Sequence, residues 1–247
     1  MKLAIDIEFI RHAMLVVAGH RFWILPFSTL PWLAFQYYVT MDDPTKMIGP
    51  GSVQGTLLGV PLTGLGMFFG MRIIAGEVDD RSLEIAYTVP GGCERLWFAK
   101  LFSAFLMLLF TEAMLAILVY FFFTPFPPGA LYGALQASCF YMILAMALGA
   151  LFRSETSGLI GTAALLGLNG LLTGFGENQL RFLPFFNPYV YLDASGSSNV
   201  VDGGFTSPEE LLAWTIQNRI AMLLLMGAIL SLGFMRANRR EIMLDGM

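Results

Sequence analysis

The run LFSAFLMLLFTEAMLAILVYFFFT, residues 101–124, decides the fold class of this chain. Glu112 is the only charged residue in it. A continuous apolar run of about 20 residues is what a helix needs to cross the hydrocarbon core of a bilayer. Apolar and polar residues do not alternate here at the period of two that a membrane β-barrel requires. The run therefore predicts a transmembrane helix.

Similar runs occur on both sides of this one. Of the 247 residues, 56% are apolar and only 13% are charged, about half the usual share in soluble proteins, and the mean hydropathy is +0.68. The pattern predicts an all-α integral membrane protein made of one membrane domain, residues 1–247. Six transmembrane helices are expected, at 22–40, 53–75, 101–124, 130–152, 156–176 and 211–235.

The residues before the first span have an amphipathic pattern. Between residues 1 and 20 the apolar positions recur at helical spacing, which predicts an interfacial helix on the membrane surface. A solvated helix or a fraying tail is the alternative. Asp6 and Glu8 lie where a signal peptide needs an apolar core, so no cleavable signal is expected.

The distribution of Lys and Arg predicts the topology. Eleven of the 14 basic residues fall in the N-terminus, in the segment 72–100, at residue 153 and in the C-terminus. Basic residues are enriched on the cytoplasmic side of membrane proteins. Both termini and the segment 76–99 are therefore expected in the cytoplasm, with the protein in the cytoplasmic (inner) membrane. Residues 41–52 and the loop 177–210 are expected on the external side.

Several chemistries are disfavoured by the sequence. His12 and His20 both precede the first span, so no Ser–His or Cys–His pair is expected within the membrane. No Gly is followed by Lys, so the chain has no GxxxxGK[ST] phosphate loop. Cys93 and Cys139 suit neither a structural disulfide nor a metal site. We expect no enzyme activity, no directly bound cofactor or metal, and no nucleic-acid partner.

The segment AGEVDDRSLEIAYTVPGGCERLWFAK, residues 75–100, carries the most specific pattern. Glu77 follows the second span, a Ser-Leu-Glu turn ends at Glu84, Pro90 comes next, and Lys100 opens the third span. This order resembles the permease subunits of type-2 ATP-binding-cassette (ABC) exporters, although Arg81 stands where that family often has Gly. ALGALFRSETSGLIGTAALL, 147–166, and FLPFFNPYVYLD, 182–193, resemble its fourth-to-fifth span junction and its external Asn-Pro segment.

The resemblance implies a half-transporter. Two copies of this chain, or this chain and a sister permease, would pair in the bilayer, and separate cytoplasmic ABC ATPase subunits would hydrolyse ATP to drive export. Within 76–99 a cytoplasmic coupling helix would contact the ATPase, through Glu77, Arg81, Leu83, Glu84, Tyr87 and Pro90. The alternative is an ATPase-driven module that transmits motion to a periplasmic partner without transporting a substrate.

Residues within the spans provide further candidates. Small residues four positions apart let helices approach closely. Such residues on the second and fifth spans are expected either at a central pathway and dimer seam or in ordinary packing within one subunit. The candidates for pathway or packing on these two spans are Gly66, Gly70, Asn169, Gly170 and Thr173.

Glu112 is the further candidate, because it lies in the middle of the third span. A charge there costs on the order of 3 kcal/mol, so the carboxyl is expected to be neutral, paired or facing a polar interior. A structural hydrogen bond is favoured over a proton or substrate contact. Methionine pairs on four of the spans are interpreted as flexible core filling rather than as a copper(I) path.

Overall fold

A computed structural model describes residues 7–20, 22–42, 48–88, 92–173, 181–191 and 208–244. All regular secondary structure in these ranges is helical, and they contain no β-strand. The predicted all-α class is therefore confirmed.

The helices follow one another with short connections. The first are α1 (Ile7–Ala18), a 3₁₀ helix (Phe22–Thr29), α2 (Leu30–Asp42) and α3 (Pro50–Ile73). The short helices α4 (Ala75–Asp79) and α5 (Leu83–Thr88) lead into α6 (Cys93–Phe122), α7 (Pro128–Phe152) and α8 (Glu155–Thr173). The chain continues with a 3₁₀ helix (Pro188–Tyr191), α9 (Pro208–Ala237) and α10 (Arg240–Leu244).

Four of these helices, α3, α6, α7 and α9, are long and apolar enough to cross a membrane. A fifth candidate is the pair formed by α1 and the following helical stretch, which is bent by 59° between Ala18 and Phe22. The described residues thus indicate a multi-pass membrane protein with four or five candidate spans. The predicted six are not confirmed, because α8, at 19 described residues, is not among these candidates.

Proline and glycine mark several helix boundaries. Pro50 and Pro128 occupy the first helical positions of α3 and α7, where the missing N–H would have had no intrahelical partner. Gly92 precedes α6 with a φ of 87°, a conformation that glycine adopts at little cost. α7 ends at Arg153, whose left-handed backbone turns the chain into α8.

The start of α3 departs from α-helical geometry. Val53–Gly59 is π-helical, and Pro61 follows in the α-helical part. Proline has no N–H to donate, and its ring crowds the preceding turn. A wider turn before it relieves this crowding. Gln54 lies in this π-helical stretch and is buried.

The core of the bundle is built around α7, which packs against α3, α8 and α9. On α3, Gly66 and Gly70 face the α7 backbone. A Cβ atom at Gly66 would lie 2.7 Å from the carbonyl oxygen of Ser138, and one at Gly70 would overlap the carbonyl oxygen of Met142. These two glycines therefore set the close approach of α3 to α7 within one chain.

Candidate functional site

A buried ion pair joins the end of α3 to the start of α6. Glu77 on α4 and Lys100 on α6 are 6% and 1% exposed. The Lys100 ammonium donates to Oε1 of Glu77 at 2.6 Å and to the carbonyl oxygen of Ile73 at 3.3 Å. The indole N–H of Trp97 donates to the second carboxylate oxygen, Oε2, at 2.8 Å. Both oxygens of the buried carboxylate therefore have partners, as a buried charge requires.

The next helix, α5, is attached on its inner side. Leu83 is fully buried, and Tyr87 is half-buried. The Tyr87 hydroxyl donates to the carbonyl oxygen of Ala237 at 2.5 Å, and its ring packs edge-on against Trp97 at a centroid distance of 6.2 Å. Burial raises the pKa of Tyr87 to about 12. The hydroxyl therefore keeps its proton at neutral pH and remains a donor.

The end of α9 is held to the start of α6 as well. The Cys93 thiol donates to Oδ1 of Asn238 at 3.3 Å, and the Asn238 amide donates to a carboxylate oxygen of Glu94. The guanidinium of Arg240 lies 5.8 Å from the centre of the Tyr87 ring, in cation–π geometry. The C-terminal part of the described chain is thus fixed to α5 and α6.

A third set of contacts adds α1 and α8 to the same place. Arg72 at the end of α3 donates to the carbonyl oxygen of Val17 at 3.3 Å and pairs with Glu155 at 3.8 Å. The backbone N–H of Glu155 donates to the Asp79 carboxylate at 2.9 Å. The ends of α1, α3, α8 and α9, the start of α6, and the short helices α4 and α5 therefore meet at one end of the bundle, which we call the coupling end.

The outer surface of the coupling end is charged. In the segment that contains α4, α5 and their connecting turn, residues 75–88, the exposed side chains include Asp79, Asp80, Arg81 and Glu84. Arg81 lies in the turn with a φ of 54°. This left-handed conformation explains why a Gly would be favoured at that position.

The predicted coupling residues therefore separate into two groups. Glu77 and Leu83 are buried in the chain's own core, and Tyr87 is half-buried. Arg81 and Glu84 are exposed to a potential partner. Pro90 lies outside the described residues.

The opposite end of the bundle contains polar side chains that hold the segment 181–191. The Asn187 amide donates to the carbonyl oxygen of Gly51 at 2.7 Å, and the Gln54 amide donates to that of Phe186 at 3.0 Å. The Asn218 amide donates to two carbonyl oxygens of the same segment, at 2.8 and 3.0 Å. The Asn-Pro motif thus anchors this segment to the start of α3.

A reciprocal pair links α7 to α9 near this end. Nη1 of Arg219 donates to Oε1 of Gln136 at 3.1 Å, and the Gln136 amide donates to the Arg219 carbonyl oxygen at 2.9 Å. The guanidinium lies 5.6 Å from the centre of the Tyr132 ring. Sequence reasoning did not single out Gln54, Gln136 or Asn218. Their polar side chains inside long apolar runs were the signal that could have found them.

The remaining candidates lie within the helices. Glu112 is 5% exposed, and its Oε1 has no hydrogen-bond partner among the described residues. The Asn169 amide donates to the hydroxyl of Tyr141 at 2.9 Å, and this bond joins α8 to α7. Gly170 is buried nearby on α8, whereas the side chain of Thr173 lies outside the described residues.

Comparison with models of protein families, with curated proteins and with solved structures finds no match for this chain. The structure itself defines the class as an all-helical protein of the multi-pass membrane type. The likeness to ABC permeases therefore rests on the sequence motifs and on how far the geometry of the coupling end supports them.

Proposed function

We propose that this chain is the permease subunit of an ABC-type exporter. It moves a substrate across the cytoplasmic membrane, and a separate cytoplasmic ATPase subunit hydrolyses the ATP. One observation carries the proposal: the segment 75–88 has a charged outer surface and an inner surface attached to four of the long helices. A cytoplasmic motor requires such an element if it is to move the bundle.

The attachments determine what a force on this segment would do. Through Glu77 and Lys100 it is linked to α3 and α6, through Asp79 to α8, and through Tyr87 to α9. Packed, hydrogen-bonded elements of this kind move as units rather than deform. Displacement of the segment by an ATPase would therefore shift several helices together.

The outer surface determines how a partner would bind. Asp79, Asp80, Arg81 and Glu84 offer both signs of charge, which gives specificity and speeds association at a polar interface. A cleft of about 190 Å³ opens beside the ion pair, between Arg72, Asp80 and Glu155, and can admit a partner side chain. In this proposal Leu83 and Tyr87 position α5 from inside, and Arg81 and Glu84 make the contact.

The proposed topology completes the assignment. The bent pair and α8 serve as the first and fifth of six spans, and both termini lie at the coupling end in the cytoplasm. The proximity of Val17, Arg72, Glu155 and Ala237 at one end of the bundle supports this arrangement, because an even number of spans returns the chain to its starting side. The exposed apolar surface of α9 is available to lipid or to a second permease copy.

Charge reversal on α5 tests the proposal. Glu84→Lys should lower the amount of ATPase subunit that co-purifies with the tagged chain by about tenfold, because like charges across a polar interface weaken it. Membrane abundance should not change, since Glu84 is exposed and no contact of the core depends on it.

Glu209→Lys provides the matched control, because Glu209 is also an exposed acidic residue of a helix but lies at the start of α9, away from the coupling end. Wild-type, Glu84→Lys and Glu209→Lys proteins that retained equal amounts of ATPase, or none at all, would contradict the proposal.

A further inference from the structure

An apolar groove of about 430 Å³ runs between α6, α7 and α9. α6 contributes Phe102 and Phe105 to its wall, α7 contributes Ile143, and α9 contributes Leu223 and Leu230. The groove is partly open along its side, so an extended apolar chain can lie in it. No part of the described protein fills this space.

One end of the groove is polar. Tyr132 and Gln136 belong to its wall, and both contact the guanidinium of Arg219. Arg219 precedes Leu223, Gly227 and Leu230 by one, two and three turns of α9, so that it lies on the same helix face. The guanidinium therefore lies at the polar end of the groove.

The charge of Arg219 is not balanced by the described part of the chain. No carboxylate of the described residues lies within ion-pair distance, and the guanidinium donates one hydrogen bond there, to Gln136. Guanidinium has five N–H donors arranged as a planar fork that matches the oxygens of a phosphate. A cation within a membrane-spanning helix is costly unless such a partner is present.

We propose that the groove binds an anionic phospholipid, with one acyl chain between α6, α7 and α9 and the headgroup phosphate on Arg219. Charge complementarity selects this occupant over a second copy of the chain, because the corresponding lipid supplies an apolar tail and an anion at the matching ends. Basic pockets between transmembrane helices are a known way to hold anionic headgroups. The inference does not depend on the exporter proposal.

Lipid binding to the purified full-length chain in detergent tests this inference. Native mass spectrometry should show phosphatidylglycerol binding at least about tenfold tighter than phosphatidylcholine with the same acyl chains. Glycerol phosphate, which has the anion without the tail, should not bind at the same concentrations. Equal binding of the two lipids, or equal binding of glycerol phosphate and phosphatidylglycerol, would overturn the proposal.

Two variants separate the headgroup from the tail. Arg219→Gln should abolish the preference for phosphatidylglycerol, and Arg219→Lys, which keeps the charge without the fork, should retain part of it. Gly227→Phe should reduce the binding of both lipids by about tenfold, because a Cβ at Gly227 meets nothing within 4 Å and the ring can enter the groove. Gly167→Phe, at an equally open and exposed site on α8, is the control and should bind lipid normally.

Either of two results would show that the groove has another use. If Arg219→Gln and Arg219→Lys both kept the full preference for phosphatidylglycerol, Arg219 would not hold the headgroup. If Gly227→Phe dissociated a dimer of the chain and left lipid binding unchanged, the groove would be an interface between copies. Both results contradict the proposal.

Discussion

Glu77 shows what residue-level reasoning reaches and where it stops. The sequence places Glu77 and Lys100 at the two edges of the polar segment between predicted spans, and the resemblance makes Glu77 a coupling residue. The structure adds that the two side chains meet in the core at 2.6 Å and that Trp97 completes the carboxylate. Sequence spacing alone could not predict this contact, because it depends on how α4 folds back toward α6.

The Glu77–Lys100 pair leads to a prediction about stability. Glu77→Ala and Lys100→Met should each lower the free energy of unfolding by about 3–5 kcal/mol, since each leaves a buried charge without its partner. The double variant should cost less than the sum of the two, as coupled residues do. Unfolding of the detergent-solubilised protein measures all three.

Glu84→Ala is the control for this cycle, because it removes an exposed acid from the same segment and should change the free energy by no more than about 0.5 kcal/mol. Additive losses in the double variant would mean that the pair does not act as a unit.

Glu112 gives a different result at the same scale. The sequence favoured a buried hydrogen bond, and the structure confirms neither that bond nor a pathway role. Its Oε1 is buried without a partner among the described residues. A buried, unsatisfied carboxyl oxygen is costly, so Glu112 contrasts with Glu77, whose oxygens are both occupied.

At the scale of elements, the glycine pattern was informative but incomplete. Four-residue spacing predicted close helix approach, and Gly66 and Gly70 do lie against α7. The sequence could not say which helix would be the partner, because many helices present a small-residue face. The π-helical start of α3 was also outside its reach, although Pro61 marks the place. The bend between Ala18 and Phe22 likewise depends on packing.

Packing of α3 on α7 predicts opposite effects for two glycines of one helix. Gly70→Ala should lower the free energy of unfolding by at least about 1–3 kcal/mol, because the new methyl group would overlap the Met142 carbonyl oxygen. Gly64→Ala should be neutral or stabilising by up to about 1 kcal/mol, since its Cβ would meet nothing within 4 Å and Ala favours the helix.

Thermal unfolding of the two variants, compared with the wild type in one detergent, measures the difference. A Gly70→Ala protein as stable as Gly64→Ala would mean that α3 and α7 are not in close contact. The comparison is internal to one helix, so effects of helix propensity cancel.

At the scale of the whole molecule, composition and charge carried most of the prediction. Apolar runs predicted helices that span a membrane, and at least four of them are long and apolar enough. The number of spans was harder to predict, because α8 and the bent pair lie near the limits of length and straightness. The meeting of distant segments at the coupling end follows from contacts such as Arg72 with Glu155 and Tyr87 with Ala237, which no local pattern encodes.

The central claim is that the segment 75–88 contacts a cytoplasmic ATPase, and site-specific photo-crosslinking in intact membranes tests it most directly. A photoreactive phenylalanine analogue placed at residue 84 should form a covalent adduct with a protein that contains an ABC ATPase domain, identified by mass spectrometry. The same analogue at residue 209, exposed at the start of α9, should form no such adduct. A chain that gave no ATPase adduct at residue 84, or gave it at residue 209 instead, would contradict the account.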